Sequence, residues 1–358
     1  MDERPAEGSP RASVVVPFRH GRAALERVVA AAAASPDVLE VIVVANGHDE
    51  DLSALSGMAG VRLVTLRDAC GPAIARNRGA ALAQAPILVF VDADVIPHAT
   101  AIAHMLALLS GAPDLAAVFG AYDYTPGPRN FFSQYRNLAH TFVHEQARPE
   151  ARTFWAGCGA IRRSAFASVG GFDERFLQPS IEDIDLGYRL AGTHRMRLDL
   201  SIRGTHLKRW TFLSSIVIDI RHRGVPWTQA LFKYGALAND LNVSRQGRAA
   251  VVLAYVTLGA LGLASFVPAA WGVAAIAFAG FVATQWGLLS WFARIRGRFF
   301  ALRVLPAQFV HHLCNGVSFV IGAGLWTLQR RLGWRTRWTL APDVWRPPLG
   351  PDQGSGQP

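Results

Sequence analysis

Hydrophobic and polar positions follow two different patterns along the chain. In the first pattern, short apolar runs alternate with alanine-rich stretches. The apolar runs at residues 13–17, 40–45, 61–66 and 87–91 are rich in Val, Ile and Leu. Short runs of this composition are typical of strands that are buried on both faces of a sheet. The amino-terminal region is therefore predicted to contain four such strands.

Helices are predicted between and after these strands. Residues 23–34, 73–83 and 99–109 are rich in alanine or apolar residues and follow apolar runs in the chain. Repeated strand–helix units of this kind build a mostly parallel sheet that is covered by helices. Ligands of such sheets bind beyond the carboxyl ends of the strands. We therefore expect the functional residues of this region to lie at the carboxyl edge of the sheet.

The carboxyl-terminal third has a continuous apolar pattern instead. Residues 249–293 contain no Asp, Glu, Lys or Arg. One bilayer crossing needs about 20 apolar residues, so this stretch can hold two helices with a turn at Pro268. Two buried helices of a soluble domain are the alternative, but soluble helices normally carry a polar stripe. The pattern predicts a transmembrane hairpin.

A second uncharged stretch, residues 304–329, allows two interpretations. Under the positive-inside tendency both of its arginine clusters would be cytoplasmic, whereas a single crossing would separate them. The stretch is either a third span that violates this tendency, or a re-entrant or interfacial segment with amphipathic character near residues 299–312. The clusters are Arg294, Arg296, Arg298 and Arg303 before the stretch and Arg330, Arg331, Arg335 and Arg337 after it.

Charge and cysteine content narrow the possible partners and the cellular compartment. The formal charge of +10 over 358 residues is compatible with nucleic acid, anionic lipid or an anionic substrate, and much of the excess arginine flanks the apolar third. Cys70, Cys158 and Cys314 are widely spaced and odd in number, which argues against a disulfide framework and fits a reducing compartment.

The ends of the chain complete the predicted domain organisation. Residues 1–11 have no apolar core like that of a secretory signal, which favours a cytoplasmic amino-terminal domain. The predicted order is a disordered leader (1–11), an α/β domain (12–231), a basic connector (232–248), the hairpin (249–293), a basic loop with the third segment (294–341) and a disordered Pro- and Gly-rich tail (342–358).

Two carboxylates follow the fourth predicted strand. Asp92 and Asp94 are spaced two apart, so in an extended chain both side chains can point the same way. Carboxylate oxygens suit Mg²⁺ or Mn²⁺ that carries a diphosphate. The alternative is a cap for the following helix, because Asp favours that position.

A second acidic cluster lies far away in the sequence. Glu182 and Asp183 begin a predicted amphipathic helix that continues through Leu190. One of these carboxylates could act as a general base. Acidic residues in the first turn also complement the helix dipole, which is the structural alternative.

An aromatic stripe precedes that cluster. Phe131, Tyr135, Leu138 and Phe142 have helical spacing. The stripe either packs into a core or lies on the membrane surface beside an acceptor site.

The chain resembles glycosyltransferase family 2 over about residues 12–231, because several motifs occur in the order that the family shows. The matching motifs are VVVPFR at 14–19, ARNRG at 75–79, FVDAD at 90–94, WAGCGAIRR at 155–163, GGFDE at 170–174 and EDIDL at 182–186. The resemblance implies an inverting enzyme with the GT-A fold, an α/β class with a Rossmann-like mixed sheet, here followed by carboxyl-terminal transmembrane helices.

The resemblance also implies roles for individual residues. Asp183 corresponds to the catalytic base, and Glu182 orients the acceptor or a partner residue. The metal ligands are Asp92 and Asp94, with Mg²⁺ or Mn²⁺ as the cofactor. The residues implied to bind the nucleotide-sugar are Pro17, Phe18, Arg19, Asn46, Arg76, Asn77 and Asp92.

Two departures from the family pattern bear on specificity. Asn46 stands where the family often has an acidic residue, so the donor is left open as UDP- or GDP-linked, with Asp49 or Asp51 as further candidates. His206 stands where processive relatives carry Gln, which weakens a polymerase interpretation. His206 could complete the metal shell, and Lys208 and Arg209 could neutralise phosphate or simply form a basic surface near lipid.

The sequence thus predicts a membrane-anchored glycosyltransferase that moves a sugar from a nucleotide-sugar to a lipid-linked or envelope-glycan acceptor. Expected partners are the donor, the acceptor and the membrane, with no nucleic acid. The expected location is the inner membrane, multi-pass, with the catalytic domain on the cytoplasmic side. The alternatives are a processive polysaccharide synthase, a nucleotidyltransferase and a non-catalytic membrane scaffold.

Overall fold

The computed structural model describes residues 11–47, 50–67, 70–235 and 244–334. These residues form two compact units, one of 11–144 and 148–209 and one of 145–147 and 210–334. The division therefore falls after Arg209, ahead of the predicted domain end at 231. The predicted leader up to residue 10, part of the connector and the tail lie outside the described residues.

The first unit is built on one eight-stranded sheet with the order β3-β2-β1-β4-β7-β6-β8-β5. Strands β1 to β4 run parallel, while β7 is antiparallel to both β4 and β6. The sheet is therefore mixed. Its strands are β1 Ala12–Phe18, β2 Val38–Asn46, β3 Val61–Leu66, β4 Ile87–Val91, β5 Val95–Pro97, β6 Leu115–Tyr122, β7 Cys158–Arg162 and β8 Arg195–His206.

The four predicted strands coincide with β1 to β4, so this part of the prediction is confirmed. Every residue of β4 is buried, which agrees with a strand covered on both faces. The helices of this unit are α1 Arg22–Ala33, α2 Ser53–Ser56, α3 Pro72–Leu82, α4 Ala101–Gly111, α5 Phe131–Glu145, α6 Arg163–Ser168 and α7 Glu182–Leu190. The three early helices predicted from the sequence are α1, α3 and α4.

Local sequence explains how α3 and α7 are placed. Pro72 starts α3, where a missing N–H costs nothing. Gly79 allows α3 to approach the sheet, because a Cβ there would lie 2.3 Å from Cγ1 of Val15. In α7, acidic residues occupy the first turn and Arg189 the last, where it pairs with Asp185 at 2.9 Å.

The aromatic stripe lies on α5. Tyr135 and Leu138 are buried, whereas Phe131 and Phe142 are half-buried. Packing into the core is therefore the better interpretation of this stripe.

The second unit is helical. It comprises α8 Phe212–Val217, a π-helical segment Ile218–Gly224, α9 Val225–Tyr234, α10 Arg245–Leu263, α11 Ala269–Arg296 and α12 Arg298–Leu332. By length and composition, α10, α11 and α12 could each cross a membrane. Pro268 caps α11, so the turn of the hairpin is where the sequence predicted it. The third stretch is one continuous helix of 35 residues, which has the length of a span.

Candidate active site

The carboxyl edge of the parallel strands carries the predicted functional residues. β1 ends at Phe18, β2 at Asn46 and β4 at Val91, and these three strands run in the same direction. Asp92 and Asp94 follow β4 directly. This edge is the place where open α/β sheets bind ligands.

Arg76 of α3 joins the two acidic clusters. Its Nη2 donates to Oδ1 of Asp92 at 2.7 Å, and its Nη1 donates to Oε1 of Glu182 at 2.8 Å. Burial opposes the charge of Arg76, but the two carboxylates outweigh burial and raise the pKa of the guanidinium further above its usual value. Residues that lie far apart in the sequence therefore meet at one edge of the sheet.

Glu182 and Asp183 differ in what surrounds them. The side chain of Glu182 is only 6% exposed, and its second oxygen accepts from the backbone N–H of Ser180 at 2.8 Å. Asp183 is half-buried and accepts from the backbone N–H groups of Ile184 at 2.9 Å and Ala156 at 3.4 Å. Glu182 is thus committed to Arg76, whereas Asp183 keeps a partly accessible carboxylate.

Asp94 faces His206 of β8 rather than an arginine. Oδ2 of Asp94 lies 3.5 Å from Nε2 of His206, and the Asp94 side chain is 36% exposed. Burial raises the pKa of Asp94, but His206 and then Lys208 outweigh burial and bring the pKa below its usual value. The carboxylate is therefore charged at neutral pH.

These two side chains have the donor atoms that a divalent cation uses. A carboxylate oxygen and an imidazole nitrogen are both ligands of Mn²⁺, and Mg²⁺ favours the oxygen. Among the described residues, no group of three or more His, Cys, Asp or Glu side chains is arranged around one point. Asp94 and His206 fit as part of a metal shell. Arg76 binds one oxygen of Asp92, and the predicted role of Asp92 as a metal ligand remains a prediction.

The other ring nitrogen of His206, Nδ1, is held by a hydrogen bond to α5. Its Nδ1 is hydrogen-bonded to Oδ1 of Asn137 on α5, and the Asn137 Nδ2 donates to the carbonyl of Ser133 at 2.7 Å. The ring also stacks on Tyr122, with centroids 4.4 Å apart and planes 5° apart. The orientation of His206 is thus determined by two elements, α5 and β6.

Asn77 supports the Gly-Gly-Phe loop. Its Nδ2 donates to the Phe172 carbonyl at 2.8 Å and to Glu174 at 3.0 Å, while its Oδ1 accepts from the Phe172 N–H at 2.9 Å. Gly171 has φ +72°, and a Cβ there would lie 2.7 Å from that Oδ1. The predicted contact of Asn77 with donor phosphates remains a prediction.

Asn46 is also engaged by backbone. Its side chain donates to the carbonyl of Cys70 and accepts from the Cys70 N–H at 2.6 Å. Asn46 is 4% exposed, so its amide holds the chain that leads into α3. Its predicted contact with the nucleotide would have to coexist with this pairing.

The remaining predicted donor contacts lie around the same strand ends. Pro17 is half-buried, Phe18 is buried and Arg19 is exposed at the end of β1. Lys208 and Arg209 are exposed just after β8.

Asp51, one of the further candidates for the nucleotide, accepts from the backbone N–H of Ser53 at 2.9 Å. Asp49 lies outside the described residues.

Sequence reasoning missed Asn137 and Tyr122. The usable signal was the set of polar residues on the buried face of α5, because Ser133, Asn137 and Thr141 recur four apart and are all buried. Buried polar groups need hydrogen-bond partners, so such a row indicates contact with polar groups of another element.

Comparison with known proteins gives a family match for the part of the chain that holds Arg76, Asp92 and Asp94. Residues 13–170 match the family described as "Glycosyl transferase family 2". Validoxylamine A glucosyltransferase from Streptomyces hygroscopicus subsp. limoneus is 29% identical over 218 residues, covering 51% of this chain and 48% of that protein. Succinoglycan biosynthesis protein ExoU from Rhizobium meliloti is 28% identical over 86 residues, covering 23% and 25%. The chain thus spans half or less of the length of these relatives.

A solved structure supports the fold over most of the chain. The mannosyltransferase PcManGT from Pyrobaculum calidifontis, in complex with GDP-Man and Mn²⁺, aligns with a TM-score of 0.55 at 19% identity and covers 87% of each chain. The mixed sheet, the family match and this likeness agree with the GT-A fold expected from the sequence. Residues 13–170 thus match glycosyltransferase family 2, and the chain has a fold similar to that of PcManGT.

Proposed function

We propose that this protein transfers a sugar from a nucleoside-diphosphate-sugar to an acceptor hydroxyl with inversion at the anomeric carbon. The observation that carries the proposal is the position of Arg76, which contacts Asp92 at 2.7 Å and Glu182 at 2.8 Å. The strand end that would receive the donor and the helix that would supply the base therefore border one site. Positive and carboxylate groups on opposite sides of a sugar are what a single displacement requires.

Asp183 is the general base in this proposal. Its half-buried carboxylate removes the proton from the acceptor hydroxyl, and the acceptor oxygen then forms the new bond to the anomeric carbon. The bond from that carbon to the diphosphate oxygen breaks in the same step. Glu182 has a different role, because it holds Arg76 through a buried ion pair.

The leaving diphosphate needs positive charge. Asp94 and His206 would hold Mg²⁺ or Mn²⁺, with Asp92 adjacent on the same strand end. When bound, such a cation neutralises developing negative charge on the diphosphate. Lys208 and Arg209 are exposed after β8 and would bind the phosphate groups. PcManGT holds GDP-Man and Mn²⁺, which supports a donor and a cation of this class.

We further propose a lipid-linked or envelope-glycan acceptor, with the protein in the inner membrane and its catalytic domain on the cytoplasmic side. Three helices long and apolar enough to cross a membrane support this setting. Assays with polyprenyl phosphate in vesicles and with soluble sugars separate the acceptor classes. Transfer to soluble acceptors alone would contradict a lipid-linked acceptor.

The central test uses purified full-length protein with UDP- and GDP-sugars and either cation. Asp183→Asn is expected to retain donor binding and to lose about 10²–10⁴-fold in kcat, the usual contribution of a general base. Asp114→Asn is the matched control, because Asp114 forms an exposed ion pair with Arg195 and should keep full turnover. Wild-type turnover in Asp183→Asn would overturn the assignment of the base.

A further inference from the structure

We propose that Asn137 is a positioning residue for cation binding, because it determines which nitrogen of His206 carries a proton. The inference rests on the proposed function, which assigns Asp94 and His206 to the cation. Asn137 lies on α5 and His206 on β8, and the two are 1% and 5% exposed. Their contact is therefore shielded from water.

The orientation of the Asn137 amide follows from its second contact. Nδ2 donates to the backbone carbonyl of Ser133 one turn earlier, at 2.7 Å. A carbonyl oxygen can only accept, so the amide nitrogen must face Ser133 and Oδ1 must face the ring of His206. An amide oxygen is likewise only an acceptor. Nδ1 of His206 must therefore carry its hydrogen, whether the ring is neutral or charged.

The plane of the His206 ring is set independently by Tyr122. The two rings are stacked at 4.4 Å with a 5° angle between their planes, and Tyr122 is buried. Turning the ring over would keep the stack but would place a C–H group against the oxygen of Asn137. That arrangement would leave a buried acceptor without its hydrogen bond, which is unfavourable.

The hydrogen on Nδ1 determines what Nε2 can bind. With the hydrogen on Nδ1, the neutral ring presents a lone pair at Nε2, the nitrogen that lies 3.5 Å from Oδ2 of Asp94. Metals bind neutral imidazole through such a lone pair. A metal-binding histidine usually donates its other N–H to a fixed acceptor, which holds the ring and its tautomer. Asn137 is that acceptor in this chain.

The experiment compares three variants of the full-length protein. Asn137→Leu removes the acceptor, Asn137→Asp keeps one, and Thr141→Val is a matched control. Thr141 is buried one turn further along α5, and its hydroxyl contacts the backbone carbonyls of Asn137, Tyr122 and Asp123 rather than the ring of His206. Two readouts are used: Mn²⁺ affinity by electron paramagnetic resonance without donor, and the ¹⁵N NMR signals of the histidine rings, with His206 assigned from His206→Asn.

We expect the wild-type His206 ring to be protonated at Nδ1. Asn137→Leu should lose that signature and bind Mn²⁺ about 10–100-fold more weakly, the usual effect of removing an outer-shell partner. Asn137→Asp should retain most of the affinity, and Thr141→Val should match the wild type.

Three results would overturn the inference. The first is wild-type His206 protonated at Nε2 alone. The second is folded Asn137→Leu with wild-type Mn²⁺ affinity, and the third is Asn137→Asp with the defect of the leucine variant. If Asn137→Leu fails to fold, the wild-type spectrum and Asn137→Asp still decide. Absence of Mn²⁺ binding by the wild type would instead remove the cation from the proposed function, while the spectrum would still test the tautomer.

Discussion

The two aspartates that follow β4 are two residues apart but meet different partners. Asp92 lies against Arg76, a buried guanidinium that is also bound by Glu182. Asp94 lies against His206, whose far side is held by Asn137. We refer to Asp92, Arg76 and Glu182 as the arginine side of the site, and to Asp94, His206 and Asn137 as the histidine side.

The difference indicates that the two sides have different roles. A guanidinium is permanently charged, so it neutralises carboxylates without any ligand present. An imidazole with a lone pair is a ligand for a cation. The arginine side therefore holds the two acidic clusters together, and the histidine side is where the proposed function places a cation. This separation of roles can be tested with substitutions that disrupt one side at a time.

The largest effect on stability is expected from Arg76→Met. This change leaves Glu182 as a buried carboxylate without its cation, and breaking such a pair is unfavourable by about 3–5 kcal/mol. The midpoint of thermal unfolding should fall by roughly 6–20 °C for a domain of this size. Arg22→Met is the control, because the side chains of the Arg22–Glu26 pair are 42% and 39% exposed and such pairs contribute little to stability.

A double variant tests the reason for that loss. Replacing Glu182 with Leu as well as Arg76 with Met removes the uncompensated charge, so part of the stability should return. An equal loss in the single and the double variant would contradict the role of the buried pair.

The next effect concerns the histidine side. Asp94→Ala removes a predicted cation ligand, so the Mn²⁺ concentration needed for donor binding should rise at least about 100-fold, beyond the 10–100-fold typical of outer-shell changes. The free energy of unfolding should change little, because Asp94 is partly exposed. Unchanged Mn²⁺ dependence, measured by calorimetry with the donor, would place the cation elsewhere.

The smallest effect is expected from Asp92→Asn. The Asp92 side chain is 32% exposed, and Arg76 keeps its pair with Glu182 in this variant. The loss of a partly exposed ion pair should lower the free energy of unfolding by about 1 kcal/mol or less. A loss as large as that of Arg76→Met would mean that the arginine side depends on both carboxylates equally.

Prediction from the sequence succeeded where local pattern decides structure. The runs that became β1 to β4 were recognisable because strands buried on both faces are continuously apolar. The hairpin around Pro268 was recognisable because a long uncharged stretch has few alternatives. For the third apolar stretch, flanking charge gave conflicting signals, whereas the structure has one helix, Arg298–Leu332.

Prediction was weaker where contacts join distant segments. Arg76 was expected near donor phosphates, and the structure adds that it pairs with Asp92 and Glu182. Asn137 carried no motif at all, because its importance depends on β8 lying beside α5. Such contacts depend on the order of the strands in the sheet, and no short stretch of sequence determines that order.

By itself, the sequence determined strands β1 to β4, the early helices α1, α3 and α4, the apolar helical region and the residue types that suit diphosphate and cation. These features depend on neighbouring residues, whose spacing sets burial and hydrogen bonding locally. Only the tertiary structure decided which carboxylate meets Arg76 and which meets His206. The physical reason is that partners of buried charges and rings are chosen by the packing of distant elements, which places α3, α5, α7 and β8 around the end of β4.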